Sequence, residues 1–271
     1  SYDQGTIVKY DAPSRFNNDK YLQRPLKDKS VMAVATDNDG NLWISTMVSG
    51  LYFYNPKTHN IRHPEIPAAI FSNASMSGVS SMAIDEDGNL WLGSLFAGKV
   101  VKCRNLGQGN LGVLKIFDIP GAHMMKADDW GRLWIGTTNK SIVCIDIKTN
   151  ETKKVTIEQN EHSFISGILP LDKDHVVAIA RRNLPLLVDA ANMKLTPMNI
   201  RGWDECFKRS FFIPTDIYKD SFGQIWIGTV GNGLLRYSPE NETVTIVEGI
   251  PCNDIAAIRE DHQGNIWVST Q

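Results

Sequence analysis

One phrase recurs along this chain: DNDGNLWIST at 37–46, DEDGNLWLGS at 85–94, DDWGRLWIGT at 128–137, DSFGQIWIGT at 220–229 and DHQGNIWVST at 261–270. The tryptophans Trp43, Trp91, Trp134, Trp226 and Trp267 are separated by 48, 43, 92 and 41 residues, so the long gap is two periods. A degenerate copy, LDKDHVVAIA, fills that gap and places Val177 where the tryptophan belongs, 43 residues after Trp134 and 49 before Trp226. Six units of similar length specify an array of one supersecondary piece, none of which can bury its own apolar face alone.

The period within each unit identifies the piece. Short apolar runs precede the turn (VMAVAT, VSSMAI, DIAAIR) and LWI, IWI or IWV followed by small residues come after it, as expected of strands. Between them, Asp, two variable residues and Gly (Gly40, Gly88, Gly131, Gly223, Gly264) supply hairpin chemistry, because Asp can bond the backbone two residues on and Gly accepts a positive φ. A third strand follows in GLYFYNP, GKVVKC, SIVCID, LPLLVD and GLLRYSP, and a more polar fourth in HNIRHP, LKIFDI, TKKVTI and ETVTIV. Four antiparallel strands repeated radially make a propeller blade. The expected fold is therefore an all-β propeller of about six four-stranded blades, with residues 1–271 forming a single domain.

The ends of the chain complement each other. Residues 253–271 provide two strands of a blade, and GTIVKYD, Gly5 to Asp11, reads as a third strand with none before it. Joined, they would share the last blade between the termini and remove exposed sheet edges. Cut points in a longer array would leave the same ends.

Composition narrows the function. A net charge of −2 carries no polybasic footprint for nucleic acid or anionic membrane, and no apolar run is long enough to span a bilayer. The start is not a signal peptide. Cys103, Cys144, Cys206 and Cys252 lack metal or CxxC spacing, and no GxSxG, HExxH or nucleotide-binding glycine pattern is present. His59 and His63 fall in a presumed outer strand, where a solvated edge is the better reading than a metal site. The expectation is no catalytic residue, no metal and no cofactor. The repeated tryptophans are read as packing between blades and the acidic turns as hairpins.

Function should then lie where the units differ. Loops joining second to third strands, and fourth strand to the next blade, open on one face, and the DxxG turns open on the other. Long inserts at 64–78, 104–113 and 196–215 and short loops at 138–140, 181–183 and 230–232 are assigned to the first face. They offer Phe96, Trp203 and Phe211 for stacking, and His123, Asn139, Arg181, Arg182, Asn232 and Asp254 for hydrogen bonding, a set suited to a polar ligand with apolar faces.

DxxGNLWIGT followed by a loop and GLxRY closely resembles the two-component regulator propeller repeat, through motifs at 37–54, 85–103, 128–146, 220–237 and 261–270, with a degraded copy at 171–189. The resemblance implies the periplasmic sensor region of a hybrid two-component system. Such a region senses an oligosaccharide or other small polar ligand, pairs as a homodimer in the full-length receptor, and reaches the membrane only through segments outside this chain. It does not bind nucleic acid. Family members carry two seven-bladed propellers, so about six blades suggest a fragment or a divergent relative. The repeats also resemble those of streptogramin lyase, a metal-dependent enzyme, and a protein-interaction scaffold is the third class kept open.

Overall fold

The computed structural model describes residues 26, 29–65, 78–158, 164–206 and 212–270. Within them the chain forms five four-stranded antiparallel meanders and one two-stranded sheet. Blade 1 is β1 (Val31–Thr36), β2 (Leu42–Thr46), β3 (Gly50–Asn55) and β4 (Asn60–Arg62). Blade 2 is β5 (Ser81–Ile84), β6 (Leu90–Ser94), β7 (Lys99–Asn105) and β8 (Leu111–Asp118). Blade 3 is β9 (Ala122–Ala127), β10 (Arg132–Thr137), β11 (Ser141–Asp146) and β12 (Thr152–Thr156). Blade 4 is β13 (Ile165–Pro170), β14 (His175–Ala180), β15 (Leu186–Asp189) and β16 (Lys194–Pro197). Blade 5 is β17 (Pro214–Lys219), β18 (Ile225–Thr229), β19 (Leu234–Ser238) and β20 (Thr243–Ile246). The last sheet is β21 (Ile255–Glu260) and β22 (Ile266–Thr270), and one helical turn, α1 (Trp203–Cys206), lies between blades 4 and 5.

Of the six expected blades, five are complete and the last, expected to be shared between the termini, has two strands among the described residues. Gly5–Asp11, the segment expected to complete it, lies outside the described residues.

Each turn of the repeated phrase is a clasp. The Asp37 carboxylate accepts bonds from the Asn41 backbone at 2.9 Å and from the Trp43 indole at 3.3 Å. Asp85–Trp91 (2.9 Å), Asp128–Trp134 (2.8 Å), Asp220–Trp226 (2.7 Å) and Asp261–Trp267 (2.7 Å) repeat it. The turn glycines take the positive φ that the hairpins require, from 74° at Gly131 to 84° at Gly223. One Asp thus fixes the hairpin through backbone amides and holds the indole that the next blade covers.

Cores form between blades. Trp43 packs with Val79, Met82 and Leu92 of the blade 2 segment; Trp91 with Ala122, Met125 and Leu133 of blade 3; and Trp134 with Ile165, Ile168 and Val176 of blade 4. Trp226 meets Ile255 and Ile258 of the last sheet. Trp43, Trp91 and Trp134 are fully buried, whereas Trp267, with no sheet packed over it among the described residues, is 50% exposed. In blade 4, Val177 takes the tryptophan position and is buried against Ile217 and Ile225 of blade 5. The small residues closing the second strands let blades approach. A Cβ on Gly136 would lie 2.4 Å from Ile165 Cγ2, and one on Gly228 would lie 2.8 Å from Ile255 Cγ2.

In every sheet except blade 2 the first strand carries a register shift near its start. The shifts skip Met32, His123, Ser166, Thr215 and Ala256. Such bulges bend the strand and re-aim a side chain, here at the end that leads into the loops.

Candidate functional site

Antiparallel meandering puts the second-to-third strand loops and the interblade connections at one end of the sheets, and the DxxG turns with the third-to-fourth strand loops at the other. The insert at 104–113 therefore belongs to the DxxG face, contrary to the sequence assignment. Position within the blade decides the face, whatever the loop length: these residues are the β7–β8 hairpin, and Asn105 Nδ2 donates to Asp37 Oδ2 at 3.2 Å. The His59/His63 pair also separates. His59 sits before β4 with a φ of 55° and its Nδ1 is 2.9 Å from the Tyr54 hydroxyl, while His63 follows β4 and packs edge-on to Tyr52.

At the variable face the structure brings His123 and Arg181 together around Phe164. His123, at the bulge of β9, lies edge-on to Phe164 with ring centroids 5.8 Å apart, and its Nδ1 is buried without a partner among the described residues. Burial holds its pKa below the ordinary histidine value, so the ring is neutral at neutral pH with one donor and one acceptor. Arg181, just after β14, donates its backbone amide to Phe164 O at 3.2 Å, its guanidinium lies 6.0 Å from the Phe164 ring centroid, and its buried Nε also has no partner there. A half-buried aromatic flanked by two polar side chains is a surface that can take a ring with apolar C–H faces and hydroxyl edges.

The other sequence candidates are placed separately. Phe96 is 45% exposed in its loop. Asn139 is exposed, with Nδ2 3.3 Å from Pro120 O, and lines a hollow of about 380 Å³ between blades 2 and 3. Arg182 has a φ of 61° and bonds through its amide to Phe212 O at 2.9 Å. Asn232 is half-buried at the β18–β19 loop, and Asp254 accepts from Gly231 N at 2.7 Å. Trp203 is buried beside Phe212 (4.8 Å between centroids) in the core of blades 4 and 5, because α1 turns it inward; its ring is closed to a ligand in this conformation. Phe211 lies outside the described residues. Phe164 was missed by the sequence reading because it precedes the degenerate blade and belongs to no motif.

The six first strands converge on one channel. A cavity of about 370 Å³ is lined by residues of β1, β5, β9, β13, β17 and β21, including Met82, Met124, Met125, Lys126, Asp216, Tyr218 and Arg259. None of the sequence candidates lines it. Among the described residues no three His, Cys, Asp or Glu side chains form a cation site, and no helix is long and apolar enough to cross a membrane.

Comparison with known proteins follows the repeat. The two component regulator propeller model matches residues 25–47, 75–96, 212–231 and 249–271, each a first strand, DxxG turn and second strand. No curated protein sequence matches. Among solved structures, the extracellular domain of the hybrid two component system BT4673 from B. thetaiotaomicron aligns with a TM-score of 0.69 and 18% identity, over 89% of this chain and 31% of that one. The chain thus spans about a third of that ectodomain. Virginiamycin B lyase from Staphylococcus aureus aligns with a TM-score of 0.70 and 17% identity, over 90% of this chain and 78% of the lyase. A streptogramin B lyase structure gives 0.70 and 16%, over 91% and 78%. At these identities the structural likenesses speak for the propeller fold alone. The repeats carry the assignment: four stretches of this chain are two component regulator propeller repeats.

Proposed function

We propose that this chain is the extracytoplasmic ligand-sensing propeller of a two-component receptor and that it recognises a glycan-derived oligosaccharide at the variable-loop face. The observation that carries the reading is the His123–Phe164–Arg181 grouping, where two buried nitrogens without partners among the described residues flank an aromatic ring at the variable-loop face. Buried polar groups ordinarily find partners, so sugar hydroxyls fit the unmet bonding while the ring C–H face meets Phe164. Phe96, Asn139, Asn232 and Asp254 stand on the same face as an outer ring of contacts.

The repeats and the likeness to an extracellular receptor domain support a periplasmic location. In this reading a pair of receptors forms the signalling unit. Ligand shifts signalling only by its difference in affinity for two arrangements of that pair. The reading needs no catalysis by this domain.

Thermal unfolding against oligosaccharides from pectins, hemicelluloses, fructans, host glycans and glycosaminoglycans tests it. A ligand at a hundred times its Kd stabilises by about 2.7 kcal/mol. One class should raise the unfolding temperature of the wild-type chain, and His123→Ala and Arg181→Ala should each weaken that response while unfolding normally without ligand. A selective response that both variants retain would move the site elsewhere, and a panel without response would refute the reading.

A further inference from the structure

The channel cavity holds a charge arrangement that the hairpin and core chemistry leaves unexplained. Asp216, 8% exposed, is fully engaged: Oδ1 accepts from Ile217 N at 2.9 Å, and Oδ2 accepts from Ile258 N at 2.9 Å and Arg259 Nη1 at 2.7 Å. Arg259 has only that one carboxylate partner among the described residues, and its side chain is 67% exposed. Lys126 lines the same cavity from blade 3, and its ammonium has no ion pair or hydrogen bond among the described residues. The two cations occupy one register position, opposite the clasp tryptophans Trp134 and Trp267. Two cations against one satisfied carboxylate leave the channel wall with an uncompensated positive charge. Lys126 is exposed to the channel, and its pKa is lowered first by desolvation and then by the Arg259 charge, which Asp216 and the hairpin residue Asp129 partly oppose.

We propose that the central channel is an anion subsite in which Lys126 and Arg259 receive the carboxylate of a small acidic sugar. The cavity, about 370 Å³, is at the lower end of small-molecule sites and takes a single sugar unit in preference to a long chain. Met82, Met124, Met125 and Tyr218 supply an adaptable apolar wall for the ring. Arg259 keeps its bond to Asp216 and offers its remaining N–H groups, while Lys126 provides the mobile point charge. The cavity is lined by the halves of the first strands nearer the DxxG turns, away from His123 and Arg181, so this subsite goes beyond the oligosaccharide reading and stands or falls separately from it.

Titration calorimetry with D-galacturonate and D-glucuronate, against D-galactose and D-glucose as neutral counterparts, tests the inference on the intact chain. The acidic sugars should bind and the neutral ones should be weaker by roughly ten- to hundredfold, the range for one hydrogen bond to a charged group. Lys126→Met should lose that preference, Lys126→Arg should retain it, and both should keep the wild-type unfolding temperature. Equal binding of acidic and neutral sugars, unchanged uronate binding in Lys126→Met, or no uronate binding at millimolar concentration would each overturn it. An oligosaccharide response that survives in Lys126→Met while uronate binding is lost separates this subsite from the loop face.

Discussion

Removing one clasp carboxylate tests how the repeat holds itself together. Asp85 is 3% exposed and accepts from Asn89 N (2.8 Å), from Asn89 Nδ2 (3.2 Å to Oδ1 and 3.1 Å to Oδ2) and from Trp91 Nε1 (2.9 Å). Asp85→Ala strands these donors beneath blade 3, where Trp91 is fully buried. An unpaired buried donor costs about 1–3 kcal/mol. Asn89, at 9% exposure, can recover part of its bonding, so the whole change should cost about 3–5 kcal/mol, a large share of the roughly 5–15 kcal/mol that stabilises a domain. Asp87→Ala, in the same turn but exposed, should stay within about 0.5 kcal/mol. Equilibrium urea unfolding followed by circular dichroism, with slopes compared, measures both. Adding Trp91→Phe completes a cycle whose coupling should be about 1–2 kcal/mol, since the indole N–H has nothing to lose once the carboxylate is gone. Equal destabilisation by Asp85→Ala and Asp87→Ala, or zero coupling, would refute the clasp as a source of stability.

Three further outcomes follow from particular contacts. Gly136→Ala should destabilise by about 1–3 kcal/mol in the same urea assay, because the new methyl carbon meets Ile165 of the next blade at 2.4 Å. Burial pushes the Cys103 thiol up to about 12 and Cys144 up to about 11, so neither should react with a thiol reagent until the chain unfolds; mass spectrometry of the native protein should find label first on the less buried Cys252. The Trp267 indole bond, followed by bonds from Asn265, holds the Asp261 carboxyl well below the usual aspartate range. Its stabilising contribution is therefore complete above about pH 3.9 and is lost only as pH falls through the depressed folded value. Carbon-detected NMR should show Asp261 still ionised when ordinary aspartates protonate, and Trp267→Phe should raise its titration toward them.

The repeat made the blade legible because the hairpin, the second strand and the tryptophan sit at fixed offsets in five copies. The clasp was legible too, as Asp and Trp six residues apart, but periodicity alone treats one as a turn former and the other as a packing group. Blade 4 shows the cost of losing the pattern: Val177 keeps the packing without the indole, and Phe164 just before that blade escaped notice. Loop length misled at 104–113, where the order of strands settles the face. Trp203 looked like a stacking ring because it lies in a long insert, yet a single helical turn buries it. Lys126 and Arg259 were findable as the residues two before the clasp aspartates Asp128 and Asp261, where blades 1 and 2 carry Ala35 and Ala83. The convergence of those positions on one axis is a property of the ring.

Hydrogen exchange of the chain with and without the oligosaccharide that raises its unfolding temperature tests the sensor reading most directly, because it locates the bound face by backbone segment. The account predicts protection concentrated around residues 119–123, 137–141, 180–185 and 229–233, with the DxxG turns unchanged. Protection confined to the DxxG turns, or binding that leaves those loop segments exchanging at their free rates, would contradict it.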